Sequence, residues 1–442
     1  MAYLKIESEE FVKVRGAKGI AERFANIIEF QKPGLGTKLP ALRTTAKLLG
    51  VSPTTIALAY DELERRGLVA GHGRGGTVVV RRPGDLGLAR VFHMGPTENG
   101  SQAFDLSTGF PDPLLLYDYS NATSAVLSGT PTRSFLNRTV SPDLAPILSQ
   151  LLNASQEELT VVNGSLDGLD RVLEQVCSPG DRVIVEEPNY PPIFDLLDVH
   201  RLVGVPVRLD DQGIEVASLA EALRQHPVAM IWQPRAQNPT GVTTSASRMT
   251  QLRQVLNDAV GCVIIEDDHS GLISAGPRMS FRGNVDAPTV TIFGFSKSHG
   301  PDLRISALAG PKDLIARVVA RRRLGPSWTS EITQRILANL LCDPTSIAAV
   351  SEAKEQYQLR LASFVKSIDQ AGGQIHSRDG LNAWVPVSSE LGAITDLARV
   401  GVVVAPGSAF CISAQSQEFI RVTTATLDPE FASFIKALSR WL

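Results

Sequence analysis

A lysine that closes an apolar strand, with a serine beside it, is placed for covalent chemistry. Lys297 stands in Gly294-Phe295-Ser296-Lys297, directly after such a run. In an apolar pocket its ammonium gives up a proton more readily, and the free amine forms an imine with an aldehyde. Upstream, Ile264-Ile265-Glu266-Asp267-Asp268 ends another strand with acids. A carboxylate there can pair with a protonated ring nitrogen and make the ring an electron sink. Val162-Asn163-Gly164-Ser165-Leu166 joins a strand to a helix, so its backbone N–H groups can cradle a phosphate. Arg304 adds a bidentate phosphate contact. Asn238, in Asn238-Pro239-Thr240-Gly241, sits on a rigid turn and can bond a ring hydroxyl. Tyr190, in Glu187-Pro188-Asn189-Tyr190-Pro191, offers a face for stacking on a ring.

Elements must bring these residues together. Short apolar strands at 159–162, 182–185, 229–232, 262–265, 290–293 and 306–309 alternate with helical stretches. That alternation predicts a mostly parallel sheet with helices on both faces. The spacing predicts a long helical stretch over about 327–370, mixed with short strands as in a smaller α+β subdomain. With 442 residues, 43% hydrophobic and 20% charged, the chain has the composition of a folded globular protein of several domains. Cys177, Cys262, Cys342 and Cys411 show no CxxC pairing, so neither a disulfide framework nor a metal site is expected. No apolar run reaches a membrane span, and no leader is read at the N-terminus.

An aldehyde-accepting lysine, a carboxylate for a pyridinium, a ring-hydroxyl partner, a stacking aromatic and a phosphate cradle together specify pyridoxal phosphate. In this order and spacing the arrangement resembles a fold-type-I aminotransferase, from about Asp105 to the C-terminus. The resemblance implies Lys297 as the Schiff-base lysine and Asp267 as the pyridinium partner. It implies Asn238 and His269 around the ring hydroxyl, Tyr190 on the ring, and Gly164, Ser165, Leu166, Ser296 and Arg304 at the phosphate. Arg421, in Phe419-Ile420-Arg421-Val422, matches the arginine that clamps a substrate or effector α-carboxylate. Two positions depart from that pattern. His269 stands where a tyrosine is usual, and an imidazole titrating near neutrality would tune the imine differently. The tyrosine-glycine segment that reaches across a dimer is not evident, and residues 133–143 occupy its place.

The net charge of −3 conceals a division. Residues 1–82 hold 14 Lys and Arg against 8 Asp and Glu, whereas the remainder holds 29 against 38. A basic front on an acidic body suggests a nucleic-acid-binding module. A helix is expected from Phe11 to Phe30, a second from Leu39 to Leu49, and a third from an N-cap at Ser52, through Pro53, to Gly67. Residues 68–80 read as two strands around a glycine-rich turn. This is the order of a winged helix-turn-helix, in which the third helix presents its N-terminus to base edges. Ser52, Thr54 and Thr55 stand there, Arg43 is placed to clamp phosphate, and Arg74 at the wing tip can enter a minor groove. Leu39-Pro40-Ala41-Leu42-Arg43 and the run from Val51 to Leu68 resemble the GntR winged-helix pattern LPS-x-R, then VSR-x-TV-x-x-AY-x-x-L-x-x-x-G. Pro53 replaces the arginine of that pattern, which shifts weight to Thr54 and Thr55.

A GntR-like head at 8–82, a linker at 83–103 and an aminotransferase-like body at 104–442 match the MocR architecture. The body is expected as a large subdomain at about 120–325 and a small one at about 326–442. The resemblance implies a bacterial transcription regulator, cytoplasmic and homodimeric, that binds a double-stranded DNA operator. Its body would sense pyridoxal phosphate or an amino-acid-like effector. The alternative is a working aminotransferase with an accessory DNA-binding domain.

Overall fold

The structure, a computed structural model, describes residues 3–6, 11, 14, 16–31, 33, 37–65, 68–71, 76–79, 104–129, 139–257, 261–413, 415–427 and 432–442. Arg74, the linker at 83–103 and residues 133–138 of the segment noted above lie outside them. The chain forms two compact units, the first chiefly N-terminal and the second made of most of the chain from Phe104 onward.

The first unit opens with α1 (Gly16–Gln31), which buries Ile20, Phe24, Ile27 and Ile28. It begins at Gly16 rather than at Phe11 because Gly16 has φ +73°, a left-handed conformation that separates the preceding residues from the helix. Phe11 still reaches the core, with its ring 5.3 Å from that of Phe24. Helix α2 (Leu42–Leu49) starts later than Leu39, since Ala41 is extended at ψ 142°. In α3 (Pro53–Arg65), the Ser52 hydroxyl accepts from the backbone N–H of Thr55 at 3.1 Å, the expected cap. Ile56, Ala59, Tyr60 and Leu63 face inward. Tyr60 also donates to the Pro40 carbonyl at 2.9 Å, tying α3 to the start of α2. Strands β1 (Val69–Gly71) and β2 (Thr77–Val79) pair antiparallel, and Lys38 bridges to Val78 beside them. Three helices closed by a small sheet are the winged helix-turn-helix that the sequence predicts.

The second unit holds two sheets. The larger, in the order β4-β11-β10-β9-β8-β5-β6-β7, uses β4 (Leu159–Val162), β5 (Arg182–Glu187), β6 (Val203–Asp210), β7 (Gly213–Ile214), β8 (Ala229–Trp232), β9 (Val263–Asp268), β10 (Thr289–Gly294) and β11 (Ser306–Ala309). Strands β5, β8, β9 and β10 run parallel, while β11 lies antiparallel between β10 and β4. The central strands are buried on both faces, as their continuous apolar runs require. The smaller sheet has the order β12-β14-β13-β3, from β12 (Asn382–Val387), β13 (Val402–Pro406), β14 (Glu418–Thr423) and β3 (Phe104–Leu106). Its strand β3 was not expected among the C-terminal elements. It pairs parallel with β13, Phe104 opposite Val402.

The long helical stretch predicted over about 327–370 consists of two helices, Glu331–Cys342 and Pro344–Gln370. Pro344 disfavours helical backbone at the residue before it, and Asp343 is extended at ψ 118° with its carboxylate capping Thr345. No described helix is long and apolar enough to cross a membrane.

Candidate functional site

The carboxyl ends of parallel strands are where open α/β sheets bind ligands, and here they frame a cavity of about 360 Å³. Ser165, Leu166, Tyr190, Asn238, Asp267, His269, Ser296, Lys297 and Arg304 line it, nine of the residues the sequence singles out. A larger cavity, about 620 Å³, is walled largely by aliphatic side chains such as Ile147, Leu151 and Leu341. The smaller cavity is the one that gathers the residues singled out by the sequence.

Lys297 follows β10 on a single helical turn, Ser296–His299. Its Nζ donates to the Gly109 carbonyl at 2.9 Å and stands 5.2 Å from the centre of the Phe110 ring. Burial, and secondarily the Arg421 charge, bring its pKa down to about 8. A substantial fraction is therefore the nucleophilic free amine at neutral to mildly basic pH.

Asp267 ends β9 and is almost fully buried. Its Oδ2 accepts from Gln233 Nε2 at 3.1 Å, whereas Oδ1 is buried with no hydrogen-bond partner. Burial pushes its pKa up to about 7 against the Gln233 hydrogen bond, and Asp268 adds to the rise. Asp268 itself is committed elsewhere, to Arg235 at 2.6 Å. A buried carboxylate oxygen without a donor is costly. A cationic ring N–H is the partner that would satisfy it.

The residues read as a phosphate cradle lie close together. Gly164 has φ +103°, and a Cβ there would lie 2.8 Å from Arg304 Nη2. Only glycine lets the guanidinium approach, and Arg304 Nη2 also donates to the Asn163 carbonyl at 2.9 Å. Ser165 begins the helix Ser165–Val176, so free backbone N–H groups point toward the cavity end where Ser296 and Arg304 stand.

His269 lines the cavity with its Nε2 buried and unpartnered. Burial, and next the Lys297 charge, push its pKa down to about 4. The expectation of titration near neutrality is therefore corrected. This imidazole stays uncharged across the physiological range, because its surroundings are dry and a cation lies nearby.

Arg421, in β14, is not on the cavity wall. It is 0% exposed behind Asn238 and Gly109. Its Nη1 donates to Asn238 Oδ1 at 3.1 Å, its Nη2 to the Ser107 carbonyl, and its guanidinium lies 4.8 Å from the Phe410 ring. In the first unit, Arg43 is exposed in the first turn of α2, while Ser52 and Thr54 are exposed and Thr55 half-buried at the N-terminus of α3.

Sequence reasoning missed Gln233, Gly109, Phe110 and Asp379. Gln233 was discoverable as the lone polar residue closing the apolar strand β8. Asp379 accepts from Thr243, Ser274, Ala275 and Gly276 and so braces the loop that follows His269, a role no local pattern signals.

Comparison with known proteins matches this geometry. Residues 101–433 match the family "Aminotransferase class I and II", and residues 17–79 match "Bacterial regulatory proteins, gntR family". The chain is 33% identical to the vitamin B6 salvage pathway transcriptional repressor PtsJ of Salmonella typhimurium, over 88% of this chain and 90% of that protein. The chain belongs to the MocR-type regulators. A second MocR-type relative, the HTH-type transcriptional regulator TauR of Rhodobacter capsulatus, is 26% identical over 89% of each chain. The body also shares its fold with solved enzymes. LysN, an α-aminoadipate aminotransferase of Thermus thermophilus, superposes with a TM-score of 0.69 at 20% identity, covering 80% of this chain and 96% of its own. Kynurenine aminotransferase of Pyrococcus horikoshii gives 0.70 at 19% identity, covering 82% and 94%. This MocR-type chain is thus a DNA-binding transcription regulator with a gntR head and an aminotransferase-fold body.

Proposed function

We propose that the body senses pyridoxal phosphate itself, held through Lys297, and that occupancy alters how paired heads engage two half-sites of a double-stranded DNA operator. The observation that carries this is Asp267 Oδ1, a buried oxygen lacking the donor that a pyridinium ring supplies. When bound, pyridoxal phosphate provides an aldehyde for an amine and a ring that withdraws electrons from it. Lys297 Nζ offers that amine, its pKa brought down to about 8 chiefly by burial. Asp267 Oδ1 would hold the ring nitrogen's proton. Asn238 and the uncharged His269 would flank the ring hydroxyl, and Tyr190 would stack on the ring. Gly164, Ser165, Leu166, Ser296 and Arg304 would hold the phosphate.

Arg421 bears on the signal. Its Nη1 and Nη2 already donate to Asn238 and Ser107 and its guanidinium is 0% exposed, although its buried Nε has no hydrogen-bond partner. That favours the cofactor as the signal over an amino compound bearing a carboxylate, for which Arg421 would be the clamp. The name of PtsJ, a repressor of vitamin B6 salvage, supports the same choice. The regulator would act as a cytoplasmic homodimer. A differential affinity of about 1–3 kcal/mol between two body states suffices for a 5–150-fold change in DNA binding.

The test uses the full chain freed of cofactor. Pyridoxal phosphate is added while visible absorbance and affinity for a DNA fragment selected by the same protein are followed. A visible band and a matching change in DNA affinity are expected in wild type, both absent in Lys297→Ala. A band without any change in DNA affinity would overturn the sensing role. Steady-state keto-acid production from amino donors would instead favour a working aminotransferase.

A further inference from the structure

We infer that Gln233 is a positioning residue for the cofactor ring, locking Asp267 and Asn238 into one arrangement and leaving Asp267 Oδ1 as the oxygen presented to the cavity. The inference rests on the pyridoxal phosphate reading and adds a residue to it. Gln233 is 1% exposed and lies just beyond β8, between β5 and β9. Its amide touches both ends of the ring site. Oε1 accepts from the backbone N–H of Asn238 at 2.8 Å, and Nε2 donates to Asp267 Oδ2 at 3.1 Å.

An amide has one accepting end and one donating end. The Asn238 N–H can only donate, so the oxygen must face it and the NH2 must face Asp267. The orientation of Gln233 is thereby fixed. Its own backbone N–H donates to Glu186 Oε2 at 3.0 Å, anchoring the residue to β5. Asn238 is held from both sides, its N–H by Gln233 and its Oδ1 by Arg421. Because Oδ2 of Asp267 is already accepting, a proton on this carboxyl belongs on Oδ1, the oxygen that would be left for a ring N–H. The charged and titratable groups around the amide are Glu186 on β5, Asp267 and Asp268 on β9, Arg235 after β8, and Arg421 on β14.

The chemistry gives a specific rescue. Gln233→Leu keeps the volume but removes both hydrogen bonds. Gln233→Glu can imitate the amide only when protonated, since its O–H then donates to Asp267 while its C=O accepts from Asn238. Affinity for pyridoxal phosphate and the position of its visible band are measured on the full chain by absorbance titration, at about pH 8 and about pH 6. Gln233→Leu should bind at least tenfold more weakly at both. Gln233→Glu should bind as weakly at the higher pH and recover toward wild type at the lower, relative to wild type at each pH. Equal affinity and band in wild type and Gln233→Leu would overturn the inference. So would a Gln233→Glu variant that binds as weakly at the lower pH as at the higher, relative to wild type, which decides the matter even if Gln233→Leu fails to fold. Wild type that forms no band would instead sink the cofactor reading beneath it.

Discussion

Lys297 Nζ and the carbonyl of Gly109 are joined by a 2.9 Å hydrogen bond, although the two residues sit on different sheets' loops. Gly109 follows β3, and its own N–H donates to Thr423 of β14 at 2.8 Å. The reactive amine of the large sheet is thus held by a segment belonging to the small one.

The first prediction concerns pH and that amine. Burial lowers the Lys297 pKa to about 8, so the neutral, reactive form is lost as pH falls through that value and gained as it rises. The rate at which the visible band appears after mixing with pyridoxal phosphate should climb from about pH 6.5 and level off above about pH 9. A profile still rising toward pH 10.5, as for an exposed lysine, would contradict the enclosed site.

His269 should be silent over the same range. With its pKa pushed to about 4, it carries no charge change near neutrality. The spectral pH profile of His269→Tyr between about pH 5.5 and 8 should therefore overlay wild type. Its ring resonances in the free protein should not move over that interval, which NMR can follow directly.

Removing Arg421 should cost stability beyond any effect on binding. Arg421→Met fills similar space but strips Asn238 Oδ1 and the Ser107 carbonyl of a donor in a dry environment. Two such losses cost roughly 2–6 kcal/mol. A urea midpoint lowered without change in slope would register this, and an unshifted midpoint would show that solvent replaces the bonds.

The head offers a separate test. Arg43→Ala should weaken binding to all DNA sequences alike and reduce the salt dependence of binding by about one counterion. Thr54→Ala, at the exposed start of α3, should instead change which sequences are preferred. Ser52→Ala removes the cap on Thr55 and should lower the head's stability by about 1 kcal/mol, read from its thermal unfolding.

Much of the site could be read without coordinates because its chemistry demands particular residue types at strand ends. A lysine after β10, an acid at the end of β9 and a glycine after β4 were each visible for that reason, and all lie at one cavity or directly behind its wall. The partner of β3 was not visible, since three residues of strand carry no mark of a mate so distant in sequence. Gln233 escaped because its importance lies in what its two ends touch, which only tertiary structure sets. The break at Asp343-Pro344 was written plainly, and proline there outweighs an otherwise continuous helical period. The carboxylate role read into Arg421 came from its position in a pattern, whereas the structure surrounds it with protein acceptors and an aromatic ring.

The pairing of β3 with β13 has a consequence for how the protein is made. About 300 residues separate Phe104 from Val402, so β3 emerges from the ribosome long before its mate exists. All the elements of the head, from α1 to β2, are already synthesised by then. Every growing chain therefore passes through a period in which the part that reads DNA has been produced and the part that answers to a ligand has not. Order of synthesis places the instruction ahead of its control.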